Sequence, residues 1–234
     1  MKNMKDGLTV VIPAFNEEDK IFETIKNVSE ALKNQSYPYQ IIVYDDGSTD
    51  NTFNEGMNAA TQFQHIKVHR EEKNYGVGAA YAYGLENSKF THISLVPGDN
   101  AFAYSGLVDL FNCKNNYNFV VSFRVNTIVR KPIRKIISKI CTKMMCFVTG
   151  KSIYDAHSMY IFPVKNALKI KPIPKNYSYH LLTLGKLLIE LNDYHQIPVN
   201  LNTDPDDSSR VLKLHVLLYQ ILTIFKIAIW RFKN

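Results

Sequence analysis

The sequence predicts an α/β protein built around a mostly parallel sheet. Short apolar runs of strand length alternate with longer segments of helical periodicity along the first half of the chain, an order typical of βαβ units. Polar, acidic or glycine-containing stretches follow four of these runs, at 13–17, 45–50, 73–76 and 97–100. In a parallel sheet such stretches lie at the carboxyl ends of the strands, where open α/β sheets bind their ligands.

Each element of this pattern has its own signal. Apolar runs mark five expected strands, at 8–12, 40–44, 66–69, 92–96 and 119–123. Helical periodicity predicts helices over 17–33, 52–64 and 76–87. Asn16 is a suitable N-cap for the first helix, and Ser48 or Thr49 is suitable for the second. Gly56 weakens the interior of the second helix.

Length and composition limit the classes of protein that fit. The 234 residues suffice for one α/β domain with a substantial core, which we expect over residues 1–210, and residues 211–234 are expected to add an apolar and basic helix. The hydrophobic fraction of 46% argues against disorder. The formal charge is 28 − 21 = +7, which fits an anionic partner such as a nucleotide, a nucleic acid or an acidic membrane without choosing among them.

Cysteine and histidine usage argues against a disulfide framework and a zinc site. The odd set of Cys113, Cys141 and Cys146 contains no C-x-x-C pair, so we expect free thiols in a reducing cytoplasm. The seven histidines form no H-x-x-x-H pair and no mixed cluster with cysteine.

The stretch from Asp45 to Thr52 is the most informative in the chain. Asp45 and Asp46 stand directly after a buried strand, and Gly47 then turns the backbone. The alternative interpretation is a surface turn rich in turn-forming residues. The three other polar loops on the same predicted sheet edge favour a functional role for the two carboxylates.

Six motifs follow one another along the chain, at 11–17 (VIPAFNE), 43–52 (VYDDGSTDNT), 74–80 (NYGVGAA), 97–100 (PGDN), 120–124 (VVSFR) and 155–160 (DAHSMY). In this order they resemble glycosyltransferase family 2, in particular its branch around dolichyl-phosphate mannose synthase and bacterial polyprenyl-phosphate glycosyltransferases. The order and spacing match over roughly residues 8–165, and more loosely to about 215. A single motif is weak, whereas the first two at this separation are a strong signal.

The resemblance implies a GT-A fold, meaning a single Rossmann-like domain with a mixed, mostly parallel sheet, here followed by C-terminal amphipathic helices. It also implies a nucleotide-sugar donor, with Asp45 or Asp46 hydrogen-bonded to the base or ribose. The donor-binding residues that it implies are Pro13, Ala14, Phe15, Glu17, Asp45, Asp46, Ser48, Asn74, Gly76, Gly98 and Asn100.

The resemblance also implies the catalytic residues Asp99, Arg124 and Asp155. Asp99 falls on the metal-binding Asp of the family's D-x-D motif, and Arg124 falls on an arginine expected near the diphosphate. Mg²⁺ or Mn²⁺ held by a carboxylate neutralises a departing diphosphate, and an arginine adds bidentate contacts. The chain departs from the motif at Pro97, which replaces the first Asp, so Asn100 is the candidate for a second oxygen ligand.

Two basic and apolar segments, 130–151 and 211–232, contain no acidic residue. The first fits a helix on a membrane surface, or an ordinary surface helix packed on the sheet. The second fits an interfacial, a partner-binding or a domain-covering helix, and its uncharged run is too short to span a bilayer. We favour attachment to one leaflet, with Arg134 and Arg210 as further candidates for phosphate binding.

The acceptor is the least determined part of the prediction. A sugar hydroxyl needs a general base, whereas a phosphate is already ionised, and residues 165–189 contain no Asp or Glu. This favours a polyprenyl phosphate acceptor, with Asp155 as the candidate acceptor-side carboxylate or, alternatively, a residue that positions its loop. A saccharide acceptor in cell-surface glycan synthesis and a non-catalytic membrane-associated homologue are the alternatives.

Together these inferences predict a metal-dependent, inverting glycosyltransferase at the cytoplasmic, inner face of the membrane. Nucleic acid is not an expected partner, because the basic residues stand beside apolar side chains and not beside aromatic stacking platforms. A homo-oligomer is compatible with the sequence. A Rossmann dehydrogenase is not expected, because the glycine-rich stretch at 76–81 lacks the third glycine and is not at the first strand–helix turn.

Overall fold

The structure, a computed structural model, describes residues 4–126, 132–170, 178–202 and 214–233. Its strands are β1 (Lys5–Ala14), β2 (Tyr39–Asp45), β3 (Ile66–Arg70), β4 (Phe90–Leu95), β5 (Val120–Arg124), β6 (Tyr160–Pro163) and β7 (His195–Val199). Its helices are α1 (Ile21–Lys33), α2 (Thr52–Gln62), α3 (Val77–Asn87), α4 (Tyr104–Cys113), α5 (Pro132–Thr149), α6 (Val164–Ala167), α7 (Ser178–Glu190) and α8 (Leu214–Lys233).

The strands form one mixed sheet in the order β3-β2-β1-β4-β6-β5-β7. Strand β1, in the interior of the sheet, is parallel to both of its neighbours, with Val10 paired with Ile41 of β2 and with Ser94 of β4. Strand β6 runs antiparallel to β4 and β5, and β7 is parallel to β5. The predicted α/β class with a mixed, mostly parallel sheet is therefore confirmed.

Helices cover both faces of the sheet, which is why its central strands are apolar along their whole length. Val10 and Ile12 of β1 point into one core cluster together with Ile25 of α1. Val11 points into the opposite cluster, to which α7 contributes Leu184. The strand alternation thus divides the core into two apolar layers, one on each face of the sheet.

The expected N-caps of the first two helices are wrong, as is the expected start of the first, whereas the second begins at Thr52 as predicted. Helix α1 begins at Ile21 and not at residue 17, because Asn16 adopts a left-handed φ of 56° and its side-chain oxygen accepts a hydrogen bond from the Thr49 backbone amide at 2.9 Å. Helix α2 has Asn51 at its N-cap. Ser48 instead accepts a hydrogen bond from the backbone amide of Asn16 at 3.0 Å, so it does not cap α2.

The C-terminal helix α8 packs on α5 and α7. Ile224 and Ile227 are buried in the second core layer, and the Gln220 side-chain oxygen lies 3.5 Å from the Cys141 thiol of α5, which donates to it. One face of this helix therefore covers the domain, which is one of the three roles expected for it; the other two were an interfacial and a partner-binding helix. Within the described residues, no helix combines the length and the apolar character needed to cross a bilayer.

Candidate active site

The carboxyl edge of the sheet brings together the loops that follow β1, β2, β3 and β4. The carbonyl oxygen of Ala14 accepts a hydrogen bond from the Asp46 amide at 2.9 Å, and the carbonyl oxygen of Pro13 accepts one from the Gly98 amide at 3.1 Å. Gly98 is needed for this approach, since an added Cβ atom would lie 2.8 Å from the Pro13 oxygen. The β1 loop thus holds the β2 loop on one side and the β4 loop on the other.

Asp46 ties the β3 loop to the same cluster. Its two carboxylate oxygens accept hydrogen bonds from the backbone amides of Tyr75 and Gly76, each at 2.8 Å. Burial raises the pKa of Asp46, and the two amide donors offset only part of that rise. The carboxylate therefore fixes the start of α3 and the preceding loop, which also contains the exposed Asn74.

Asp45 is fully buried and faces Arg70. Its Oδ1 atom accepts a hydrogen bond from the Ser48 amide at 3.0 Å, and its Oδ2 atom lies 3.4 Å from Arg70 Nε. Arg70 also donates to the Ser48 carbonyl at 3.1 Å. An open cavity of about 420 Å³ beside this group is lined by Gly47, Ser48, Arg70, Glu71 and Glu72. Both aspartates already have protein partners, and nucleoside recognition by either one stays a prediction.

The β1 loop is held against the start of α2 by backbone donors. The Glu17 amide donates to Thr52 Oγ1 at 2.8 Å, and the Glu18 amide donates to Asp50 at 3.3 Å. Phe15 and Glu17 are partly buried in this arrangement. The structure therefore brings the predicted donor-binding residues of the β1 and β2 loops side by side.

Asp99 stands at the exposed tip of the β4 loop. Its Oδ1 atom accepts a hydrogen bond from the Ala101 amide at 3.2 Å, two residues further on. The Asn100 side-chain oxygen, the expected second metal ligand, accepts a hydrogen bond from Asn27 Nδ2 of α1 at 3.2 Å. Asp99 is thus the accessible carboxylate of this loop, while the amide oxygen of Asn100 already has a partner.

The oxygen ligands at this edge of the sheet fit a divalent cation that is bound by the protein and by a diphosphate together. Among the residues placed by the structure, no group of three or more His, Cys, Asp or Glu side chains could hold a metal ion. One carboxylate is nevertheless enough where diphosphate oxygens and waters complete the shell, as Mg²⁺ and related hard cations prefer. Asp99 fits such a cation only together with a bound diphosphate.

Arg124 and Asp155 form a buried bidentate ion pair. Arg124 Nε lies 2.5 Å from Asp155 Oδ2, and Nη2 lies 2.8 Å from Oδ1, with the two side chains 7% and 10% exposed. Burial alone would raise the pKa of Asp155, but the charge and hydrogen bonds of Arg124 outweigh it and hold this pKa below its usual value. Two of the three guanidinium nitrogens therefore face Asp155, which limits what Arg124 can offer a diphosphate.

Two residues around this pair, Ser138 and His180, were missed by sequence reasoning. Ser138 of α5 lies 3.4 Å from Arg124 Nη2 and 3.5 Å from His157 Nδ1. His180 of α7 has a buried Nε2 atom without a hydrogen-bond partner, and burial lowers the pKa of His180 to about 3. No motif marks Ser138 or His180, since both belong to helices whose orientation is set by tertiary packing.

The two arginines predicted as further phosphate ligands cannot be placed in the site. Arg210 lies outside the described residues, as does the side chain of Arg134 in α5.

The sequence and the fold are similar to those of known proteins. The family model described as glycosyl transferase family 2 matches residues 9–168. The chain belongs to glycosyltransferase family 2. Similar relatives include a dolichyl-phosphate beta-glucosyltransferase of Trichomonas vaginalis, 36% identical over 40% of this chain and 29% of that protein. A dodecaprenyl-phosphate galacturonate synthase of Rhizobium johnstonii is 24% identical over 63% of this chain and 45% of that protein.

The chain spans less than half of the length of these two curated relatives. Solved structures with the same fold cover it more fully. Glucosyl-3-phosphoglycerate synthase of Mycobacterium tuberculosis, in complex with uridine diphosphate, superposes with a TM-score of 0.76 at 17% identity, covering 95% of this chain and 80% of that one. The same enzyme with Mg²⁺ and uridine diphosphate gives a TM-score of 0.72 at 16% identity, covering 95% and 79%. These likenesses confirm the predicted GT-A fold.

Proposed function

We propose that the protein is a metal-dependent, inverting glycosyltransferase that moves a sugar from a nucleotide-sugar donor to a polyprenyl phosphate. The observation that carries this proposal is the hydrogen-bonded convergence of the four polar loops at one edge of the sheet, where the carboxylate of Asp99 is exposed on the β4 loop. Family membership and the lipid phosphates in the names of several relatives support the same activity.

The donor is assigned to the edge formed by the β1, β2 and β3 loops. Pro13, Phe15 and Glu17 would line the nucleoside pocket, and Asp45 or Asp46 would contact the base or ribose. Asp46 contributes in a second way, because it holds Tyr75 and Gly76 in place and so fixes the loop opposite the β1 loop. A donor pocket built by such backbone contacts is largely preformed, which lowers the entropy lost on binding.

Asp99 would hold Mg²⁺ or Mn²⁺ against the diphosphate of the donor. When bound, the cation supplies electrostatic stabilisation for the negative charge that develops on the leaving nucleoside diphosphate. The protein itself contributes the fixed position of Asp99, which Gly98 anchors by donating to the Pro13 carbonyl and accepting from Thr24 Oγ1 at 2.9 Å.

The state of Asp155 favours an acceptor that is already ionised. A carboxylate whose pKa is held below its usual value by Arg124 is a weak base, so it is poorly suited to deprotonate a sugar hydroxyl. In the proposed reaction a phosphate oxygen of the acceptor attacks the anomeric carbon while the bond from that carbon to the diphosphate oxygen breaks. The bonding electrons leave with the nucleoside diphosphate, the configuration inverts, and no proton needs to be removed.

We further propose that residues 1–210 form the catalytic domain and that residues 211–234 contribute to attachment at the inner face of the cytoplasmic membrane. The basic and apolar character of the helices α5 and α8 supports this location. A saccharide acceptor and a non-catalytic homologue remain as competing outcomes of the experiment below.

The decisive experiment measures donor binding and transfer separately. A panel of UDP-, GDP- and dTDP-sugars is screened by thermal shift with and without Mn²⁺, because a ligand at about 100 times its Kd stabilises the native state by about 2.7 kcal/mol. The donor found is then offered with undecaprenyl phosphate or with an oligosaccharide. We expect Mn²⁺-dependent donor binding and transfer to the lipid phosphate.

Asp99→Asn is expected to abolish the part of donor binding that depends on Mn²⁺. Asp109→Asn, the same change at an exposed position of α4, is the control. Undiminished transfer by Asp99→Asn would refute the metal assignment. Donor binding without transfer to either acceptor would favour a non-catalytic homologue.

A further inference from the structure

Helix α8 exposes an apolar stripe on the face opposite to its core contacts. Leu218, Leu222, Phe225, Ile229 and Phe232 recur every three or four residues and are 52–90% exposed. The buried face of the same helix carries two polar side chains, Gln220 and Thr223, beside Ile224 and Ile227. A helix that only covers a domain buries its apolar stripe and exposes its polar one. The pattern of α8 therefore indicates a second apolar environment outside the domain.

Helix α5 carries a matching stripe. Ile133, Ile136, Ile140 and Phe147 lie on one face of the helix and are 53–87% exposed. On its other side α5 buries Cys141 and Met145 against the domain. Isolated exposed apolar residues are normal on a protein surface, but two aligned stripes on neighbouring helices form a contiguous patch.

The two stripes share one side of the domain. Helices α5 and α8 lie side by side, joined by the contact of Cys141 with Gln220 and by a hydrogen bond of 2.7 Å from Arg231 Nη1 to the Val148 carbonyl. Met145 and Ile227 both pack over Gly185 of α7, so the inward faces of the two helices meet the same support. Their outward faces together form what we call the α5–α8 face, defined by the nine exposed apolar residues just named.

Exposed lysines flank the apolar stripes. Lys139 and Lys143 follow the α5 stripe, and Lys226 and Lys233 follow the α8 stripe. Neither helix contains an acidic residue. A two-fold dimer through this face would bring lysines of both copies together, which like-charge repulsion opposes. An anionic lipid surface is complementary in both respects, because headgroups pair with the lysines and acyl chains accept the apolar side chains.

We infer that the α5–α8 face docks on an anionic phospholipid surface, with both helices lying in the plane of the interface. The inference rests on the proposed function only for its purpose, since the face itself is defined by burial and charge. Ser138, on the inward side of α5, contacts Arg124 beside Asp155. Docking therefore brings the Arg124–Asp155 pair to within about one helix diameter, roughly 10 Å, of the headgroups. That is where the phosphate of a polyprenyl acceptor lies.

The test is flotation of the full chain with vesicles of phosphatidylcholine alone or mixed with phosphatidylglycerol. We expect binding to the anionic vesicles that weakens as salt is raised, because the lysine contribution is screened. Phe225→Glu with Ile136→Glu is expected to weaken binding by at least about tenfold, since each change removes a large apolar side chain from the lipid contact. Lys139→Gln with Lys143→Gln is expected to cost about fivefold per lysine.

Met57→Glu is the matched control, because it places the same charge on an exposed apolar position of α2, on the other side of the sheet. Donor binding measured by thermal shift in the absence of lipid is followed for every variant. It should stay at the wild-type level, so that failure of docking and failure of the proposed activity are told apart.

Three outcomes would overturn the inference. The first is vesicle binding that survives Phe225→Glu with Ile136→Glu. The second is equal binding to neutral and anionic vesicles. The third is a concentration-dependent dimer that the same double variant dissolves, which would assign the face to a second copy of the chain. Loss of anionic vesicle binding in the face variants, with wild-type binding in Met57→Glu, would support it.

Discussion

Arg124 and Asp155 form a bidentate ion pair that joins the end of β5 to the loop before β6. Both side chains are buried, and the Asp155 carboxylate also accepts a hydrogen bond from the His157 backbone amide at 2.9 Å. Two adjacent antiparallel strands, β5 and β6, bring the residues together although 31 positions separate them in the chain. The pair thus fixes the loop at 153–158 relative to the strand whose end faces the site.

Removing one member of this pair should destabilise the fold strongly. Asp155→Ala leaves the Arg124 guanidinium buried without its counter-charge, a change that typically costs about 3–5 kcal/mol. Urea denaturation should show this loss in the free energy of unfolding. Asp109→Ala, at an exposed position, should change it by less than about 0.5 kcal/mol.

The double variant Arg124→Met with Asp155→Leu separates charge burial from packing. Because it removes both charges, it should recover most of the stability lost in Asp155→Ala. A loss below about 1 kcal/mol in the single variant would mean that solvent reaches the pair and screens it. If Arg124 acts on the diphosphate or the acceptor, transfer activity should be lost in the double variant even though its stability is recovered.

Asp46 offers a second test, because it accepts two backbone amides at once. In Asp46→Asn one carboxylate oxygen becomes an NH₂ group that cannot accept from Tyr75 or Gly76, and one partly buried amide loses its partner. Such a loss costs about 1–3 kcal/mol. Urea denaturation should show this cost, and thermal shift should show weaker donor binding, because the 73–76 loop is released.

The control for Asp46 is Asp109→Asn, which makes the same change where no loop is held. Weaker donor binding without any loss of stability would argue for direct contact of Asp46 with the nucleoside. A loss of both would argue for its role in positioning the loop.

The sequence predicted those parts of the fold that local signals determine. The apolar strands and the polar loops after them follow from the residue pattern alone. The sequence therefore placed four loops correctly at the carboxyl edge of the sheet: 13–17, 45–50, 73–76 and 97–100. The parts that failed depend on distant partners. Asn16 looks like a helix cap, but the Thr49 amide, 33 residues away, binds its side chain.

The acceptor side of the site also depends on residues that are distant in the chain, so it could not be predicted from local sequence patterns. The pairing of Arg124 with Asp155 requires the antiparallel placement of β6 between β4 and β5, which no local sequence pattern predicts. The outward stripe of α8 is visible in the sequence as apolar spacing, yet only the packed structure shows that Ile224 and Ile227 already fill the inward face. Periodicity finds a helical face but does not say whether the domain covers it.

His180 makes stability depend on pH in mildly acidic solution. Its pKa falls from the ordinary 6.5 to about 3 in the folded protein because burial disfavours the charged form. Between these two values the unfolded chain binds a proton that the folded protein does not, so the free energy of unfolding falls as the pH is lowered. The slope for one such group approaches about 1.4 kcal/mol per pH unit.

Urea denaturation from pH 6.5 to 5 should therefore show a smaller slope for His180→Phe than for the wild type. Phenylalanine keeps the ring contacts with Tyr160 and Tyr179. His92 contributes to the wild-type slope with the same sign, because burial also lowers its pKa. His65→Asn, which removes an exposed imidazole, controls for the loss of one histidine. Equal slopes for His180→Phe and the wild type would show that His180 is hydrated.

Two glycines within ten residues of each other should respond to alanine in opposite directions. Gly47 has a φ of +74°, and an added Cβ atom would lie 2.5 Å from the backbone carbonyl carbon of Lys73. The left-handed conformation alone costs a non-glycine residue about 1–2 kcal/mol, and the clash pushes the β3 loop away from Asp46. Gly47→Ala should therefore lower both the free energy of unfolding and the affinity for the donor.

Gly56 lies inside α2, where an added Cβ atom would meet side-chain carbons of Val43 and Val68 at 3.5 and 3.6 Å, which is ordinary van der Waals contact. Gly56→Ala should raise the free energy of unfolding by up to about 1 kcal/mol, because alanine loses less backbone entropy in a helix. Donor affinity should be unchanged, since no loop moves. Urea denaturation and donor thermal shift on the two variants distinguish the cases. A stable Gly47→Ala with wild-type donor affinity would mean that the contact between the β2 and β3 loops does not shape the site.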